Sequence, residues 1–86
     1  MIPVTVEIDL FDDGGGSATL EKDMLFHCLP RIGDEVQVHE HLDASKVRRV
    51  LFCADGSICV ALHVMKSFKV ETLVENLVSL GFVQTE

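Results

Sequence analysis

Apolar and polar residues alternate almost without interruption from Ile2 to Leu10. Ile2, Val4, Val6, Ile8 and Leu10 fall on one side, and Pro3, Thr5, Glu7 and Asp9 on the other. Successive side chains of an extended chain point to opposite faces, so this pattern predicts a half-buried β-strand. Asp12-Asp13-Gly14-Gly15-Gly16-Ser17 predicts a flexible loop, and residues 18–23 a short strand or irregular arm. Met24 to Leu29 reads as a second strand, Pro30 to Asp34 as a turn, and Glu35 to His41 as a third strand. Leu42 to Ser45 is a tight connection into VRRVLFCA, Asp55-Gly56 and SICVALHV, a hairpin from Val47 to Val64. From Val70 the period changes. Val70, Leu73, Val74, Leu77, Val78 and Leu80 recur at helical spacing and predict an amphipathic helix over residues 69–80. Thr72 with Glu75, or Ser67, is the expected N-terminal cap, and Gly81-Phe82 suits a left-handed C-terminal stop.

The Asp-Gly pair favours a two-residue turn with φ > 0 at both positions. That turn pairs Ala54 with Ser57, Cys53 with Ile58, Leu51 with Val60 and Val47 with Val64. One face then carries Val47, Arg49, Leu51, Cys53, Ile58, Val60, Leu62 and Val64, the expected core face. The other carries Arg48, Val50, Phe52, Ala54, Ser57, Cys59, Ala61 and His63, apolar in the middle and polar at the open end. A four-residue loop after His41 pairs Val36 with Leu51 and Val38 with Arg49, which places both valines on the core face. The cluster of Val50, Phe52, Cys59 and Ala61, rimmed by Arg48, is left on the side opposite the core. A sheet with one wet face does not place Phe at its centre. The C-terminal helix, a second copy of the chain or another protein could cover this patch. Where the helix closes the main core instead, association with a second copy or another protein is the expected use, with Phe52 as its anchor.

The order strand, long loop, strand, Gly-Asp turn, strand, hairpin resembles small SH3-like β-barrel domains. Phe26, Gly33, Asp34, Val36, Val38 and the distal Asp55-Gly56 carry the resemblance. It implies a mainly β (α+β) fold of about five antiparallel strands, a small barrel or rolled sheet over residues 2–66. The helix over 69–80 lies outside that core, and an open antiparallel sheet backed by the helix is the other architecture. The aromatic residues of a peptide-binding SH3 groove are absent, so a preference for proline-rich ligands is not implied.

Length and composition narrow the function. Eighty-six residues make one domain, 1–86, and 48% hydrophobic content without Trp or Tyr makes an aliphatic core supplemented by Phe. No apolar run approaches the ~20 residues of a membrane span. Met1 to Phe11 carries Glu7 and Asp9 and no basic region, unlike a secretory signal. Three cysteines without framework spacing then suggest reduced thiols in a cytoplasm. A net charge of −7 is repelled by phosphate backbones and anionic membranes, so the expected partner is a protein, not a nucleic acid or a membrane.

Candidate chemistry is sparse. His39 and His41 lie at i and i+2 on one strand face, roughly 7 Å apart, and the deduced register brings His63 and Arg48 beside them. The arginine opposes a cation, so solvated histidines are the better reading and a metal site the alternative. Cys53 and Cys59 point to opposite faces in the deduced register, which strains a disulfide. Cys59 and His63 share a face about 13 Å apart, too far for a thiolate–imidazole pair. The Asp12-Asp13-Gly loop lacks the closing Glu of an EF-hand and the Lys of a phosphate cradle. With no nucleophile–base pair and no cofactor fingerprint, the sequence predicts an acidic interaction or assembly module without catalytic activity. A metal- or small-ligand-binding domain, or an inhibitor masking a basic partner, is the alternative.

Overall fold

The expected alternation on residues 2–10 is realised as β1 (Ile2–Phe11), the central strand of a mixed, curled sheet. The computed structural model describes residues 1–40, 43–66 and 69–85, and the side chains of Met65 and Lys66 are left aside. The other strands are β2 (Ser17–Phe26), β3 (Glu35–Val36), β4 (Ser45–Phe52), β5 (Ile58–Leu62), β6 (Met65–Lys66) and β7 (Val83–Gln84). One helix, α1 (Val70–Ser79), precedes β7. The strand order is β3-β4-β5-β1-β2-β7, with β6 also paired to β1. The class is the expected one, mainly β with a C-terminal helix, in the form of a half-barrel.

Every even position of β1 from Val4 to Leu10 is buried, joined by Ala18 and Leu20 of β2, Val47 of β4 and Val60 and Leu62 of β5. The segment between β2 and β4 adds Val36 and Val38, and the C-terminal segment adds Val70, Leu77 and Phe82. The helix ends as the sequence predicts. Gly81 takes φ +99°, its N–H donates to Val78 O, and the Phe82 N–H reaches back to Leu77 O at 3.1 Å. Lys22 Nζ donates to Leu80 O at 2.9 Å and sits 5.6 Å from the Phe82 ring, adding a cation where the helix carbonyls end.

The start of the helix departs from expectation. Lys69 is the N-cap residue and makes no side-chain cap, and Thr72 lies inside the helix. The first free N–H, that of Val70, faces Asp12 Oδ2 at 3.3 Å. Asp12 Oδ1 accepts the N–H groups of Gly14 at 2.9 Å and Gly16 at 2.8 Å. The Gly-rich loop is thus a built turn that holds one carboxylate against the helix. Hydrogen bonds from the Gly16 and Val70 N–H groups hold the Asp12 carboxyl below its usual range. A Cβ on Gly16 would stand 2.7 Å from Asp12 Oδ2, so a side chain at this position displaces the Asp12 carboxylate from its hydrogen bonds. Ser67 lies outside the described residues.

Four sequence expectations are corrected. β2 runs unbroken through residues 18–23 and pairs with the whole of β1. β3 is only two residues long and pairs Glu35 with Lys46 and Val36 with Ser45, not Val36 with Leu51. β1 pairs with β5 in parallel, Thr5 against Cys59 and Glu7 against Ala61. The fourth correction concerns the hairpin register. Asp55 Oδ1 accepts the Ser57 N–H at 2.9 Å and the Ser57 hydroxyl at 2.6 Å, which ties Asp55 to negative φ. Only Gly56 takes positive φ, at +91°. Gly56 N–H donates to Cys53 O and Cys53 N–H to Ser57 O, the pattern of a three-residue loop closed by a glycine bulge. Cys53 therefore faces Ser57, Phe52 faces Ile58 and Leu51 faces Cys59, one position away from the two-residue turn. The slip puts Val50 and Phe52 on the face of Ile58 and Val60 and Leu51 and Cys53 on the face of Cys59, while Val47, Val60 and Leu62 keep the expected core face.

Candidate functional site

A second irregularity builds a cluster of ion pairs on the convex face. Between Val47 and Arg49 the β4–β5 ladder shifts register, so Val47 pairs with Leu62 and Arg49 with Ala61. A bulge cancels the alternation at that point, which lets two consecutive side chains leave the same face. Arg48 and Arg49 both reach the odd-numbered, convex side of β1. Arg48 Nη2 meets the Asp9 carboxylate and lies 3.5 Å from Glu7 Oε1, while its Nε donates to Leu62 O at 2.9 Å. Arg49 Nη2 lies 3.5 Å from Glu7 Oε2. Asp9 also accepts the Thr19 hydroxyl at 2.7 Å, and Asp23 accepts that of Thr5 at 2.8 Å. The two arginines offset a like-charge pair, because Glu7 and Glu21 stand directly opposite each other on β1 and β2.

Cys59 lies within this face, its thiol 3.9 Å from Glu7 Oε2. Burial, and then the Glu7 carboxylate, push the Cys59 thiol above its ordinary value. A reactive cysteine needs the reverse surroundings, cationic and partly open. The thiol here is a weak donor to a carboxylate. The described residues hold no group of three or more His, Cys, Asp or Glu able to hold a metal ion, and no buried side-chain N or O without a partner. A cleft of about 490 Å³ lies between the Gly loop and the first turn of α1, with Asp12, Glu71 and Glu75 in its walls. Its best-placed group, Asp12, is already engaged by three backbone N–H groups.

The residues of the predicted patch are separated by the new register. Val50 and Phe52 pair with Val60 and Ile58 on the concave side, and Cys59 and Ala61 pair with Leu51 and Arg49 on the convex side. Ala61 is fully buried and Arg48 belongs to the ion-pair cluster. Phe52 remains exposed at 66%, beside Leu51 at 45%. The predicted neighbourhood of His39, Arg48 and His63 does not form as deduced. β3 ends at Val36, Arg48 turns to the β1 carboxylates, and His63 is exposed, its N–H donating to Lys46 O. His41, the other member of the predicted His pair, lies outside the described residues.

The free side of β4 is the feature that sequence reasoning missed. Cys53 bonds to Ser57 across the hairpin, so Leu51 and Arg49 also turn their backbone groups toward β5. Val50 and Phe52 turn theirs outward. On that side β4 is covered only as far as Val47, by β3 and by bonds from Val47 to Gly33 and Asp34. From Val50 to Phe52 no described residue bonds to the outer edge. No described helix is long and apolar enough to cross a membrane. Compared with known protein families, curated proteins and solved structures, the chain matches none.

Proposed function

We propose that this chain is a protein-interaction module without catalytic chemistry, and that it associates with a second copy of itself by strand addition along β4. The open edge from Val50 to Phe52, with Leu51 and Phe52 exposed on its two faces, is the observation that supports this reading. An uncovered apolar edge strand invites another strand unless charge, proline or a covering element protects it, and among the described residues none of these guards β4 past Arg49. The pattern is also self-complementary. An antiparallel two-fold centred on Leu51 sets Leu51 against its own copy on the convex side, and Val50 of one protomer against Phe52 of the other on the concave side. Such isologous pairing closes at two copies.

Sedimentation velocity across a wide concentration range tests the proposal, with Phe52→Lys as the edge-blocking variant and circular dichroism as the check on fold. A dimeric parent and a folded, monomeric variant are the expected pair of results. A parent that stays monomeric at every concentration, or a dimer indifferent to the lysine, refutes the β4 edge as the interface.

A further inference from the structure

The slipped register has a chemical consequence. With Cys53 opposite Ser57 and Leu51 opposite Cys59, Cys53 and Cys59 are diagonal neighbours on one face of the hairpin. Both are free thiols and both are partly open to solvent. Diagonal residues of an antiparallel pair stand about 7–8 Å apart at Cα, beyond the ~6.8 Å limit at which a disulfide closes without moving the backbone. A single bridging atom suits the wider span. Two metal–sulfur bonds near the thiolate–zinc length of ~2.3 Å separate the sulfurs by on the order of 4 Å, about twice an S–S bond. We propose that Cys53 and Cys59 form a two-thiolate site for a soft monovalent cation, copper(I) in class.

Coordination number selects the cation. Zinc needs four ligands, and among the described residues no third or fourth His, Cys, Asp or Glu completes a set. Copper(I) is satisfied by two thiolates, the ligand type that soft metals prefer. Binding displaces two thiol protons to solvent and leaves a bis-thiolate complex of charge −1. The Arg49 guanidinium favours the Cys59 thiolate, while Glu7 and Glu21 oppose it. The cation's own charge must overcome those two carboxylates. Cys28 takes no part, lying exposed beyond the end of β2 with β1 between it and the hairpin.

The test is an anaerobic titration with copper(I) alone against the chromophoric chelator bicinchoninate, with native mass spectrometry for stoichiometry. The wild-type chain and Cys28→Ser are expected to hold one equivalent. Cys53→Ser and Cys59→Ser, each near-isosteric and checked for fold by circular dichroism, are expected to bind at least tenfold more weakly. Retention of copper(I) by either of those variants overturns the site. So does its loss in Cys28→Ser, or a wild-type chain that yields all its copper(I) to the chelator.

Discussion

Arg48→Met isolates the contribution of the convex-face cluster, because Met keeps the apolar stem and removes only the guanidinium. The wild-type group donates to Leu62 O, meets Asp9 and lies 3.5 Å from Glu7. Fully exposed ion pairs contribute ~0–1 kcal/mol, whereas breaking a buried one costs ~3–5 kcal/mol. Side-chain exposures of 32% for Arg48, 24% for Asp9 and 16% for Glu7 place this cluster between those limits. Two terms soften the loss, since Asp9 keeps the Thr19 hydroxyl and Glu7 keeps Arg49. One term sharpens it, because Glu7 is left facing Glu21 with one cation fewer. The expected cost is about 2 kcal/mol, or a fall in Tm of roughly 10 °C for a chain of this size. Urea unfolding followed by circular dichroism measures it. A double-mutant cycle with Asp9→Asn is expected to give a coupling near 1 kcal/mol, and Glu21→Gln in the Arg48→Met background to recover part of the loss. A cost below ~0.5 kcal/mol, or a coupling of zero, refutes the view that these arginines hold the convex face together.

Leu77→Ala removes the most buried side chain of α1 and is expected to cost ~2–5 kcal/mol in the same assay; a smaller cost means that the helix is not docked on the sheet as described. The Asp12 carboxyl titrates below its unfolded value of ~3.9, so its stabilising effect is complete above that value and is lost as pH falls through the lower, folded one. Asp12→Asn is therefore expected to flatten this part of the acid limb when unfolding is followed from pH 7 down to pH 2, and an unchanged limb contradicts the assignment.

Strictly periodic elements were legible in the sequence, and features set by a local exception were not. β1 alternates without fault, and α1 announces both its apolar stripe and its Gly81-Phe82 stop. β2 was obscured at Lys22, which occupies a core-side position yet leads its amine out to Leu80 O at the rim. The hairpin was visible, but its register turned on whether Asp55 would accept positive φ or bond to Ser57. The bulge beside Arg48 leaves no trace in composition, because consecutive arginines fit either alternation. The candidate site rested on the register, so the patch around Phe52 lost Cys59 and Ala61 with it. Nothing local encodes the pairing of β1 with β5.

That parallel seam also dictates an order of assembly. β1 meets β2 across the short Asp12–Gly16 turn, whereas it meets β5 only after roughly fifty intervening residues. Loop-closure entropy makes the second contact about 2 kcal/mol harder to begin than the first. The hairpins β1–β2 and β4–β5 are each closed by a short turn, and the seam between them is the pairing that joins distant parts of the chain. Until it closes, one edge of β1 and one of β5 stay bare, with Val6 and Val60 uncovered. The seam is therefore the pairing with the highest entropic cost to begin, and bare strand edges of this kind are the places where misassembly starts.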